Sequence, residues 1–136
     1  YEIPWSDWSS DVCSSDLCQF TLVDSIGKKI LVASEVAKSL GLQNVRCIKE
    51  RIEEEKGLYD FVISRAVMPM GDLVKLVRKN VSKKHQNAMP NGLMVLKGGK
   101  LEGELHEFKK YVEQTPITDF FKDEWYKEKY VIYLPL

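Results

Sequence analysis

From residue 19 onward the apolar positions follow two periods. Short, nearly unbroken apolar runs recur at 19–24, 45–48, 59–64 and 93–96. They are carried by Phe20, Leu22 and Val23; by Val45, Cys47 and Ile48; by Tyr59, Phe61, Val62 and Ile63; and by Leu93, Met94, Val95 and Leu96. Runs of this length predict strands covered on both faces, as in a parallel sheet. Between the first two runs, Ile30, Leu31, Ala33, Val36, Ala37 and Leu40 form a helical stripe with a polar back, and Gly41 stops it. A second helix is predicted over 70–81, with Leu73, Leu76 and Val77 on one face.

The connections are polar. Residues 49–56 are charged and end at Gly57, and 82–91 form a basic loop containing Pro90. A short charged helix is expected near 102–112. Strands are then expected at 117–121 and 130–134, around a charged hairpin loop at 122–129. Strand–helix alternation with a terminal hairpin predicts an α/β fold whose sheet is mostly parallel with an antiparallel edge. No internal repeat is found.

Residues 1–17 fit neither period. They hold two of the three tryptophans, five serines, three aspartates and no lysine or arginine. The run from Asp7 to Leu17 looks like the conceptual translation of a common DNA-sequencing adapter. The expectation is therefore an artefactual or disordered segment at 1–17 and one partial domain at 18–136, with native coding resuming near Cys18.

Composition narrows the chemistry. Twenty basic and twenty acidic residues cancel, so any nucleic-acid contact must come from a local patch. The candidates are Lys28 with Lys29, Lys83 and Lys84 with His85, Lys97 with Lys100, and Lys109 with Lys110, each of which also suits an ordinary solvated surface. Cys13, Cys18 and Cys47 show no metal-ligand spacing with His85 or His106, so a reduced cytoplasmic protein without metal is expected. No apolar run approaches the roughly 20 residues of a membrane span.

Asp24 ends the first predicted strand where a helix begins. In open α/β sheets ligands bind beyond the carboxyl ends of the strands, and a carboxylate there suits the two hydroxyls of a ribose. An aspartate before a helix is equally a capping residue.

Four motifs in order carry a family resemblance: Phe20-Thr21-Leu22-Val23-Asp24-Ser25 with Lys28-Lys29; Glu50-Arg51-Ile52-Glu53; Asp60-Phe61-Val62-Ile63-Ser64-Arg65-Ala66; and Leu96-Lys97-Gly98. Together they resemble the bacterial guanine-N7 methyltransferases of small-subunit (16S) rRNA, the glucose-inhibited division protein B family. The resemblance implies a Rossmann-like class I methyltransferase fold, S-adenosyl-L-methionine as cofactor, and 16S rRNA or the small ribosomal subunit as partner of a monomer. It implies cofactor contacts from Asp24, Ser25 and Ile26 along the ribose, Ile52 and Glu53 near the adenine, and Arg65 at the mouth of the site. Lys28 and Lys97, at helix or strand ends on the same rim, are in reach of RNA phosphates, a position that equally suits ordinary surface lysines. No catalytic residue is assigned, because the N7 lone pair of guanine is already nucleophilic.

The chain departs from the family in lacking a glycine-rich turn before Asp24. The family's first strand would lie between the strands at Phe20 and Tyr59, so a chain without it is expected to be inactive, poorly stable and weak in cofactor binding. The alternatives are a methyltransferase of the same fold with another substrate, or a non-catalytic RNA-binding module resting on the Lys83-Lys84-His85 loop.

Overall fold

The computed structural model describes residues 18–65 and 68–136. Residues 1–17 and two members of the third and following segment, Ala66 and Val67, lie outside the described residues, and with them the reading of the first seventeen. The chain divides into two compact units, Tyr1–Glu54 and Glu55–Leu136.

In the first unit, β1 (Phe20–Asp24) pairs in parallel with β2 (Val45–Lys49), joined through helix α1 (Gly27–Ser39). The register sets Leu22 beside Cys47 and Asp24 beside Lys49. Gly41 ends α1 with a positive φ of 67°, the left-handed conformation that glycine takes without steric cost. The predicted apolar stripe is not buried as a whole. Leu31, Val36 and Leu40 are exposed, while Gly27, Ile30, Ala33, Ser34 and Ala37 are the partly covered positions. Those five recur at three- and four-residue spacing, so a narrow face of mostly small side chains does the covering.

The second unit holds a four-stranded sheet in the order β3–β4–β6–β5. β3 (Phe61–Arg65) and β4 (Gly92–Gly98) are parallel, linked through α2 (Met70–Val77). β6 (Lys129–Pro135) runs antiparallel to both β4 and β5 (Glu113–Pro116). The parallel sheet with an antiparallel carboxyl-terminal hairpin is thus present, in two pieces. α3 (Glu102–Leu105) follows β4.

Four elements depart from expectation. The strand predicted at 117–121 is instead β5 at Glu113–Pro116, and Ile117–Asp119 form a 3-10 turn. The Ile117 carbonyl accepts both the Phe120 and Phe121 amides, which withdraws them from any ladder. Pro116, lacking an N–H, ends a strand that lies on the edge, where proline is tolerated. The second helix ends at Val77, and 3-10 turns at Arg78–Asn80 and His106–Phe108 shorten both predicted helices. Tyr59 lies outside β3, bridging Val81 before the chain turns to pair with β4.

Every buried hydrophobic residue among those described belongs to the second unit: Met70, Leu73, Val74, Val77 and Val81 from around α2, Leu93 and Val95 from β4, Leu101 and Leu105 from α3, and Ile132, Tyr133 and Leu134 from β6. Gly92 opens β4 at closest approach to β6, where a Cβ would collide with the Leu134 carbonyl oxygen. No helix among the described residues is long and apolar enough to cross a membrane.

Two outcomes follow from this distribution. Amides of β1 and β2 should exchange with deuterium at least about tenfold faster than those of β4 and β6, because few buried contacts oppose local opening. Equal protection in the two sheets would refute that. Burial, reinforced by the charge of Glu113, raises the Tyr133 phenol above the ordinary tyrosine range. A folded pKa above the unfolded one gives stability that is complete below the unfolded value and is lost as pH rises through the folded value. Melting between about pH 8 and pH 10.5 should therefore fall less steeply in Tyr133→Phe than in the parent chain, from a lower start because the 2.5 Å bond from the Tyr133 hydroxyl to the Pro90 carbonyl is lost.

Candidate functional site

Parallel strands bring their carboxyl ends to one edge, and each unit collects its candidate residues there. In the first unit β1 ends at Asp24, and its carboxylate Oδ1 accepts the Ile26 amide at 2.8 Å. The Asp24 carbonyl accepts the Glu50 amide at 3.1 Å, fastening the two strand ends together. Asp24 therefore does structural work as a turn-former. It does not exhaust its acceptors, since an ionised carboxylate has two oxygens and about four lone-pair sites.

Ser25 and Ile26 follow on the exposed turn, and Ile26 is the residue before α1. Past the end of β2, Ile52 and Glu53 sit in a turn closed by the Glu54 amide on the Arg51 carbonyl. Ile52 is half-buried and Glu53 exposed. These five predicted residues thus lie beyond the carboxyl ends of adjacent parallel strands. Lys28 is exposed in the first turn of α1.

Lys49 was not singled out by its sequence, where it reads as the start of a charged connection. The structure makes it the last residue of β2, in register with Asp24. A Cβ on Gly27 would sit 3.4 Å from its Cδ and Cε, so the lysine stem lies along the start of α1.

In the second unit Arg65 is the last, exposed residue of β3, paired in register with Leu96. Its guanidinium offers a planar fork of donors suited to carboxylate or phosphate. Lys97, one residue further along β4, is placed differently from a rim lysine. Its side chain is only 7% exposed, its Nζ forms an ion pair with Glu104, and it donates to the Met68 carbonyl at 2.9 Å.

Glu104 Oε1 also accepts the Met70 amide at 2.5 Å, at the start of α2. A carboxylate there satisfies an orphan amide and complements the helix dipole. Lys97 and Glu104 thus grip the backbone on both sides of Pro69, in the segment that follows Arg65. Nothing in the sequence marks Glu104, which is one acid of a charged helix until the fold brings it to α2.

The comparisons agree with this architecture. A family model described as rRNA small subunit methyltransferase G, GidB, matches residues 12–127. A ribosomal RNA small subunit methyltransferase G from Bacteroides thetaiotaomicron is 54% identical over 115 residues, covering 85% of this chain and 56% of that one. A protein of the same description from Parabacteroides distasonis is 54% identical over 117 residues, covering 86% and 51% respectively. The chain therefore spans about half the length of the curated relatives it matches. Among solved structures, an rRNA methylase from Streptococcus thermophilus superposes with a TM-score of 0.53 at 11% identity, covering 85% of this chain and 71% of that one. That likeness shows the fold.

The clamp can be measured by a double-mutant cycle. Lys97→Met and Glu104→Gln should each destabilise the second unit by about 1–3 kcal/mol, since each leaves a largely buried polar group without its partner. The double variant should lose less than the sum, with a coupling of about 1–3 kcal/mol in urea denaturation. Strict additivity would show that the pair is not a clamp.

Proposed function

The chain belongs to the GidB family, rRNA small subunit methyltransferase G, and from that membership we propose that its residues serve methyl transfer from S-adenosyl-L-methionine to N7 of a guanine in 16S rRNA. The observation that carries this reading is the gathering of Asp24, Ser25, Ile26, Ile52 and Glu53 beyond the carboxyl ends of β1 and β2. That edge is where open α/β sheets take nucleoside ligands. The residues present fit the group: Asp24 keeps acceptor capacity beyond its bond to the Ile26 amide, which suits a ribose diol.

The methyl donor, when bound, supplies an electrophilic methyl on a sulfonium, and the guanine N7 lone pair needs no strong base to attack it. What remains for the protein is orientation and electrostatics. Asp24 and Ser25 hold the sugar, Ile26 and Ile52 give apolar cover, and Glu53 meets the polar edge of the purine. Arg65 offers its fork to a carboxylate or phosphate. Lys28 contacts RNA phosphates as an exposed point charge. Lys97 joins it only by releasing Glu104 and the Met68 carbonyl. The protein acts as a monomer in the cytoplasm.

The test is a chimera in which the part of the Bacteroides thetaiotaomicron relative outside the match is fused to residues 18–136. It should methylate small ribosomal subunits at guanine N7. Asp24→Ala in it should weaken S-adenosylmethionine binding about 10- to 100-fold by calorimetry, because hydrogen bonds to charged groups contribute about 1.5–3 kcal/mol. Undiminished binding in Asp24→Ala, or methylation unaffected by Arg65→Ala, would overturn the assignment.

A further inference from the structure

Residues 73–101 contain seven lysines or arginines and no aspartate or glutamate. A chain that is neutral in total is therefore strongly polarised along its length. Five of the seven, Lys75, Arg78, Lys79, Lys83 and Lys84, fall within ten residues, and all five are exposed. They occupy the end of α2, the 3-10 turn after it and the start of the loop that leads into β4.

This loop is not a loose solvated tether. Asn91, fully buried, donates its side-chain amide to the Ser82 and Lys84 carbonyls, each at 2.9 Å. The Asp60 carboxylate lies 3.5 Å from the same amide. The Asn91 backbone amide donates to His85 Nδ1 at 2.8 Å, so both ends of the loop are pinned. With Nδ1 accepting, the remaining ring nitrogen of exposed His85, Nε2, is the one that carries a proton to donate. Asn80, also buried, donates to the Glu55 and Gly57 carbonyls and secures the preceding turn. Two buried amides thus hold in place a loop whose first half exposes Lys83, Lys84 and His85. Mere solubility does not require that rigidity.

The position within the unit is informative. The Ser82 amide donates to the Tyr59 carbonyl, which places the loop at the amino end of β3. Arg65 ends β3, four residue steps or about 13 Å beyond the strand's first residue at roughly 3.3 Å per residue. The basic loop therefore lies at the end of the second unit's sheet opposite Arg65.

Resting on the reading of the chain as an RNA-modifying protein, we propose that Lys75, Arg78, Lys83, Lys84 and His85 form a second contact surface for the RNA phosphate backbone. It anchors the RNA at the amino end of β3, away from Arg65. Phosphate contacts fix position without reading sequence, as an anchor requires. An anionic membrane would share the phosphate chemistry, but a lipid surface favours inserted tryptophan, phenylalanine or leucine. Residues 73–101 contain no tryptophan, phenylalanine or tyrosine; of their five leucines only Leu96 is exposed, at the Arg65 end of the sheet, and Met89 is the one large apolar side chain exposed on the loop.

The experiment is fluorescence anisotropy of a fluorescein-labelled RNA stem-loop with the full 136-residue chain, titrated across salt. Each phosphate contact adds about 0.7–0.9 to the slope of log affinity against log salt, so Lys83→Gln/Lys84→Gln should lower the slope by about 1.4–1.8. Lys122→Gln/Lys127→Gln removes the same charge elsewhere and should leave the slope unchanged. Both pairs are exposed, so thermal melts should match the parent. An unchanged slope in the first variant, an equal loss in the second, or binding to phosphatidylserine vesicles in place of RNA would each overturn the anchor. Absence of RNA binding in the parent chain at low salt would do the same. Methyl-donor binding that depends on Asp24 in the chimera would then still stand, so failure of the anchor and failure of the proposed reaction are told apart.

Discussion

The ion pair between Lys97 and Glu104 is the contact on which the functional end of the second unit depends. It ties the end of β4 to α3, and through the Met70 amide and Met68 carbonyl it ties both to the start of α2. The chain leaving Arg65 must pass through that grip before it can turn into a helix. A largely buried pair is a poor source of net stability, because desolvation offsets much of the attraction. What it supplies is a single geometry: removing either partner strands the other, so alternative paths for the segment after Arg65 are penalised. Glu104 also explains how α2 starts without a capping side chain of its own, since Pro69 precedes it and offers none.

The same logic separates the two units. The second has α2, α3, β4 and β6 closing on a common core, and Met70, Leu93 and Ile132 are fully buried there. The first has one helix on two strands, with a contact face narrowed to alanine, glycine, serine and one isoleucine. Small residues let a helix approach a sheet closely but remove little apolar area from water, at roughly 25 cal/mol per Å² buried. The first unit therefore holds its strand ends together largely through backbone bonds, the Asp24 carbonyl with the Glu50 amide among them. Asp24 is both a turn-former and the candidate ligand, so the two readings of its sequence context coexist in one side chain.

How much of this was legible in the sequence depends on whether the deciding contact was local. The parallel strands were legible because Phe20, Phe61 and Leu93 stand in apolar runs of strand length. The expected cover on both faces holds only in part: of the four strands only β4 carries buried residues, and Leu22 and Ile63 are exposed. β5 was not legible, because an edge strand needs few apolar residues, and Ile117, Phe120 and Phe121 drew attention to the turn beyond it. The carboxyl-end placement of Asp24, Ile52 and Arg65 follows from strand direction and was readable. Glu104 and Asn91 were not, because each acts on residues brought near only by folding: Met70 lies 34 positions from Glu104. Lys97 shows the converse, a lysine in a family-like motif whose cation the fold directs inward.

Charge segregation gives these local facts a common direction. The segment 73–101 carries a formal charge of +7, so the remainder of the neutral chain carries −7. Such a separation costs little at physiological ionic strength, where screening acts over about 8 Å. Its effect lies in orientation. A polyanion approaching such a chain is drawn first to that segment, so encounter is biased before any specific contact forms. Net charge, which sums this to zero, hides it. The buried amides of Asn80 and Asn91 turn the bias from a property of composition into one of structure, because cations on a pinned loop meet a phosphate track without first paying the entropy of ordering that loop.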